Sequence, residues 1–205
     1  MNEVKAVVFD YGKVICHPPG DDVMEKLAAL AGLAREEFEG LVWKLRTPYD
    51  RGVITGVEYY QSIFAAAGLP QDAALAGVMH RLDTDSWKAI NAETVKLMED
   101  IKAAGFLLGI LSNMPWDFLD MARKTYPVFS LPHVGIFSCE TGAIKPEPAI
   151  YRALTAALDC APGEILFFDD VPVNVEGGLA AGIRSYVWQD AGTARTLLRR
   201  FHVPV

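Results

Sequence analysis

Three short apolar runs in this sequence break off at polar residues, and that pattern constrains the fold more than any other feature. Val7-Val8-Phe9 runs into Asp10, Gly109-Ile110-Leu111 into Ser112-Asn113, and Leu166-Phe167-Phe168 into Asp169-Asp170. A short apolar run without alternation fits a strand covered on both faces. In an open parallel sheet the carboxyl ends of such strands open onto one crevice, where ligands bind. Residues far apart in the chain are therefore expected to share a site.

The segments between these runs read as helices. Val23, Met24, Leu27, Leu30 and Ala31 recur at helical spacing and stop at Gly32. Phe38, Leu41, Val42 and Leu45 form a second stripe, and Thr55 with Glu58 has capping-box spacing before a third helix that ends at Gly68. A fourth, weaker helix is expected over 71–82. After residue 90, helices near 92–104, from Pro115 to about Tyr126, and near 147–158 and 174–181 alternate with strands at 106–111, 134–137, 164–168 and 184–188, and an amphipathic helix closes the chain. Pro115 suits the first turn of the helix that follows it. The alternation predicts a doubly wound α/β domain with a parallel sheet and right-handed crossovers. The helical block at 17–88 reads as an insertion after the first strand.

A net charge of −7 repels nucleic acid and anionic lipid, so neither is an expected partner. No apolar run approaches the roughly 18 residues of a membrane span, and no secretory leader pattern precedes Val4. Cys16, Cys139 and Cys160 form no close pair and no metal-type spacing, which fits reduced, buried thiols in a cytoplasmic protein.

The strand ends carry the chemistry. Three carboxylates crowded together raise one another's pKa values unless a cation lies between them. Oxygen ligands beside a phosphate-type substrate point to Mg²⁺. Lys145, kept out of the next helix by Pro146, is a fixed positive charge for a bound anion. Taken singly, each residue has an ordinary reading: a strand-end turn at Asp10, helix caps at Ser112-Asn113 and Asp169-Asp170, a solvated lysine at 145. Their convergence carries the chemical one.

Phe9-Asp10-Tyr11-Gly12-Lys13-Val14-Ile15 resembles the first motif of the haloacid dehalogenase superfamily, whose leading Asp attacks phosphorus. Leu111-Ser112-Asn113 resembles the second motif, Lys145-Pro146-Glu147-Pro148 with Ile150-Tyr151 the third, and Phe168-Asp169-Asp170 with Asn174 the fourth, the metal-binding acidic pair. The four stand in order along essentially the whole chain, with a helical block in the slot of a C1 cap. The resemblance implies a Rossmann-like core at 1–16 and 89–205 and a cap at 17–88. It implies a Mg²⁺-dependent phosphatase of a small phosphorylated metabolite, working through an aspartyl phosphate on Asp10. Asp10 and Lys145 would be catalytic, Ser112, Asn113 and Lys145 would bind substrate, and Asp10, Gly12, Asp169 and Asp170 would hold the metal, Gly12 through its backbone carbonyl.

Gly12 departs from the pattern. Most phosphatases of the family carry a second Asp there as general acid and base, a role worth ~10²–10⁴-fold. The Asp-x-Gly branch, which includes sugar-phosphate phosphatases, is the one this sequence resembles most, and Lys13, Asp50 or a metal-bound water are candidates for the missing group. Tyr49, Asp50 and Arg51, beside Gly52, are candidates to face the crevice, whereas Trp43 and Arg46 fit a packed helix face at least as well. Three rivals are a metal-free 2-haloacid dehalogenase using Asp10, a phospho-acceptor signalling domain, and a non-catalytic phosphosugar-binding protein. The adjacent acids at 169 and 170 count against the first, and the inserted helical block against the second.

Overall fold

The four residues of β1 (Ala6–Phe9) have no exposed surface, because in the computed structural model, which describes residues 3–205, they form the centre of a sheet. The first two positions of the expected core segment 1–16 lie outside the described residues. A π-type turn, Tyr11–Ile15, follows β1. Then come four helices, α1 (Asp21–Ala31), α2 (Arg35–Asp50), α3 (Gly56–Ala66) and α4 (Ala73–Ser86). The alternating part runs α5 (Ala92–Ala103), β2 (Leu107–Ser112), α6 (Trp116–Thr125), β3 (Val134–Phe137), α7 (Ser138–Thr141), α8 (Pro148–Leu158), β4 (Ile165–Asp169), α9 (Pro172–Ala180), β5 (Arg184–Val187) and α10 (Ala191–Arg200).

The strand order is β3-β2-β1-β4-β5, with every neighbouring pair parallel. This is the expected doubly wound α/β fold. Alternate strand residues go to opposite faces. Val7, Phe9, Leu108, Ile110, Leu166 and Phe168 pack with Leu97, Met98 and Ile101 of α5 and with Leu119 of α6 and Leu198 of α10. Ala6, Val8, Ile165 and Phe167 meet Ile150, Tyr151 and Leu154 of α8 on the other side. Each large apolar side chain buried this way contributes roughly 1.5–3 kcal/mol, which is why these strands read as unbroken apolar runs.

The helices α1–α4 build a separate cluster around Phe38, Tyr59, Tyr60, Ile63, Phe64 and Met79. The expected capping box is present: Thr55 N donates to Glu58 at 2.7 Å and Glu58 N to Thr55 Oγ1 at 3.3 Å. The chain leaves and re-enters the sheet side by side, since Cys16 bridges Ile90 and His17 N donates to Ala89 O at 2.7 Å.

The structure differs from the sequence expectations mainly at element ends. The fourth helix runs to Ser86 rather than 82, because Asp83 bonds to Arg46 on α2 and so holds the last turn. Helix α9 starts at Pro172, two residues early, with proline in its first turn. Pro115 is the N-cap of α6 rather than a residue of its first turn. The short α7 has no periodic signal in four residues. No helix among the described residues is long and apolar enough to cross a membrane, and all three cysteines are free and buried.

Candidate active site

Parallel register sets the site. Phe9 lies level with Ile110 and with Phe168, so the next residues leave the sheet together at its carboxyl edge. Asp10 N donates to Phe168 O at 2.9 Å. Asp10 Oδ1 accepts from Tyr11 N at 2.7 Å and from Lys145 Nζ at 2.8 Å. Burial pushes the Asp10 carboxyl up to about 6, against the pull of Lys145. The Asp169 charge beside it acts in the same upward direction, and the Ser112 hydroxyl pulls weakly down.

Lys145 is only 3% exposed. Its ammonium has three donors, and it faces three protein acceptors: Asp10 at 2.8 Å, Asp169 at 2.6 Å and Leu111 O at 3.0 Å. The cation lying between two of the crowded carboxylates is therefore Lys145 itself. Lys145, expected from the sequence as a fixed charge for a bound anion, is tied first to Asp10 and Asp169. Asn113 holds the Lys145 backbone at both ends, accepting from Lys145 N at 2.8 Å and donating to Lys145 O at 3.1 Å. The Lys145–Pro146 bond is cis.

Asp169 and Asp170 differ although adjacent. Asp169 is fully buried, and both its oxygens are engaged: Oδ1 accepts from Val171 N and Asn174 Nδ2, Oδ2 from Lys145 and more distantly Asn174. Asp170 is half-buried and lines the cavity, with Lys13 Nζ 3.6 Å away. Burial, then the Asp169 charge, raises its carboxyl. Ligand oxygens of Asp10, Asp169 and Asp170 lie within 4.8 Å of one another. Hard oxygen donors at that spacing suit a divalent cation.

The cavity above Asp10 is about 210 Å³. Gly12, Lys13, Ser112, Asn113, Lys145 and Asp170 line its floor with Asp10. All the expected site residues are thus brought together, except that Asp169 stands behind the lining. The roof comes from the inserted helices: Trp43, Arg46, Tyr49, Asp50 and Asp83, with Trp87 at one side. Trp43 and Arg46 therefore face the crevice rather than a packed interior. Arg51 does not: it donates to Gly142 O at 2.8 Å and forms a two-pronged ion pair with Glu147. Sequence reasoning missed Asp83, whose helix was expected to end one residue earlier. It also missed Ser138, whose Oγ accepts from Met114 N at 2.8 Å and donates to Asp50 O. No motif signal marks either.

A model of the haloacid dehalogenase-like hydrolase family matches residues 4–182. Over 200 residues the chain is 28% identical to a phosphatase of Mycobacterium tuberculosis, spanning 94% of this chain and 90% of that protein. A HAD family enzyme from Bacteroides thetaiotaomicron superposes with a TM-score of 0.78 at 20% identity, over 97% of this chain and 100% of that one. That enzyme has also been solved in complex with magnesium and inorganic phosphate. A dehalogenase with an intermediate complex superposes with a TM-score of 0.73 at 15% identity, over 96% of this chain and 98% of that one. At these identities the structural likeness shows the fold.

Proposed function

This chain belongs to the haloacid dehalogenase-like hydrolases, and from that membership we propose that it is a magnesium-dependent phosphatase of small phosphate monoesters, sugar phosphates among them. One observation carries the reading: the carboxylates of Asp10, Asp169 and Asp170 lie within 4.8 Å of one another, and among the described residues two ammonium groups, Lys145 and Lys13, pair with them. The remaining negative charge favours a divalent cation there. Asp10 and Asp170 would hold it directly, with the Gly12 carbonyl, while Asp169, saturated by Lys145, Asn174 and Val171, would act from behind. A bound divalent cation neutralises charge on the phosphoryl oxygens. The magnesium and phosphate complex of the Bacteroides enzyme supports the same reading.

In the proposed reaction the Asp10 oxygen not paired with Lys145 attacks phosphorus in line. The new bond from Asp10 to phosphorus forms as the ester oxygen departs and takes up a proton. Water then attacks the phosphoryl group, releasing inorganic phosphate and restoring the carboxylate. Lys145 keeps Asp10 ionised and aimed, and Ser112 with the Asn113 amide would bind the phosphoryl oxygens. Gly12 brings no acid, and Lys13 and Asp50 both line the cavity from which the proton must come. Residues 17–88 would act as the cap over a core of 1–16 and 89–205, a division supported by the separate helical cluster and the bridge between Cys16 and Ile90.

Asp10→Asn should abolish turnover of p-nitrophenyl phosphate in Mg²⁺ with the circular dichroism spectrum unchanged. Retained turnover would remove Asp10 from the role. The dehalogenase likeness sustains a second reading, which predicts chloride release from 2-chloropropionate in the presence of chelator.

A further inference from the structure

The roof of the cavity carries a charge arrangement set apart from the carboxylates around Asp10. Arg46 on α2 is held by two carboxylates: Nε donates to Asp50 Oδ1 at 2.8 Å and Nη1 to Asp83 Oδ2 at 3.2 Å. Its guanidinium lies over the rings of Tyr49 and Tyr59, with centroids 5.0 and 5.5 Å away, so it is fixed from several sides. Asp83 is engaged at both oxygens, because its Oδ1 accepts from Trp87 Nε1 at 3.2 Å. Asp50 is not. Among the described residues no hydrogen bond ends on its Oδ2, and no buried side-chain oxygen or nitrogen lacks a partner. That oxygen is therefore not fully buried, on a side chain 15% exposed that lines the same cavity as Asp10.

Two carboxylates against one guanidinium leave the roof with one negative charge, and the open oxygen of Asp50 is where it is presented. A phosphate ester bound with phosphorus at Asp10 extends its organic part into the cavity that this roof lines. A second anion on that part meets a like charge in a partly desolvated pocket, where repulsion is strong. A hydroxyl or ammonium group meets an acceptor instead.

Resting on the phosphatase reading, we propose that Asp50, braced by Arg46, selects esters whose leaving group carries hydrogen-bond donors and no second negative charge. Asp50 is thus a specificity residue, and neutral polyol or aminated phosphates are the substrate class.

The test uses three esters of similar size with Mg²⁺: glycerol phosphate, phosphoethanolamine and 3-phosphoglycerate. The first two should exceed the third by tenfold or more in kcat/KM. Asp50→Asn should shrink that ratio to within about threefold, chiefly by lowering KM for 3-phosphoglycerate, and Asp50→Glu, which keeps the charge, should preserve it. The larger loss between glycerol phosphate and phosphoethanolamine in Asp50→Asn tells whether hydroxyl or ammonium is the group accepted. Wild-type protein that handles 3-phosphoglycerate as well as the others overturns the proposal, whatever the variants do. So does a parallel change for all three esters in Asp50→Asn, which proton delivery or a purely structural role would produce. Absence of turnover for every ester defeats the phosphatase reading separately. Calorimetric binding of the same esters to the Mg²⁺-loaded wild type then decides, a tenfold spread in Kd supporting the selection, and equal Kd values or no binding overturning it.

Discussion

Lys145 and Asp169 form an ion pair at 2.6 Å in which the side chains are 1% and 0% exposed. Neither charge has water to fall back on, so each is present because of the other. The same ammonium reaches Asp10 at 2.8 Å, which links the electrostatics behind the sheet to the carboxylate facing the cavity. Asn113 and Asn174 fix the two ends of this chain, one on the Lys145 backbone and one on the Asp169 carboxylate.

Removing the cation strands two buried carboxylates. Lys145→Met is expected to lose about 3–5 kcal/mol of stability at neutral pH, together with activity. Adding Asp169→Asn should recover a good part of the stability and none of the activity. Urea denaturation of the single and double variants measures the coupling; strictly additive losses would show that the pair is not a unit.

Asp10 works against the fold in the absence of metal. Its carboxyl rises from 3.8 to about 6 mainly through burial, so the folded state holds the proton more tightly than the unfolded one. Stability present below the unfolded value is then lost as pH rises toward and past 6. In chelator, Asp10→Asn should be more stable than wild type at pH 7.5, by on the order of 2–3 kcal/mol, and the gain should fade toward pH 4. Mg²⁺ should raise Tm for the wild type more than for the variant. Equal melting of the two metal-free proteins at pH 7.5 contradicts the account.

Arg51 joins the helical roof to the loop that carries Lys145. It pairs with Glu147 and donates to Gly142 O, and both charged side chains are partly solvated at 28% and 39% exposure. Such a pair is worth at most ~1 kcal/mol. Arg51→Met should therefore shift Tm by only a few degrees while lowering kcat/KM several-fold, because the Lys145 loop loses its clasp. Loss of stability and activity in proportion would mean that Arg51 acts through folding alone.

The cysteines should be chemically quiet. Burial pushes the thiols of Cys16 and Cys139 up to about 12 and raises Cys160 as well. Since the thiolate is the reactive form, a disulfide-exchange reagent at pH 7.5 should label the native protein far more slowly than the unfolded chain, which should titrate three thiols. Rapid native labelling of one cysteine would identify a site that opens locally.

Much of this molecule was legible in the chain order. Buried parallel strands must be apolar on both faces, so β1, β2 and β4 announced themselves as unbroken runs. The abrupt change to Asp10, Ser112 and Asp169-Asp170 marked their carboxyl ends. Local chemistry also marked helix starts, as Thr55 and Glu58 do for α3. These signals are short-range, and they suffice for the fold class and for the floor of the cavity.

Partnership across the chain was not legible. Nothing in the sequence distinguishes Asp169, sealed behind Lys145, from Asp170, open to the cavity. Nothing assigns Arg46 to Asp50 and Asp83 rather than to solvent, or turns Arg51 away from the crevice to Glu147. Periodicity reports which face of an element is apolar, whereas the pairing of charges depends on how elements from distant parts of the chain are juxtaposed. That is decided only when the roof helices close over the sheet and desolvation forces each buried charge to find its counterpart.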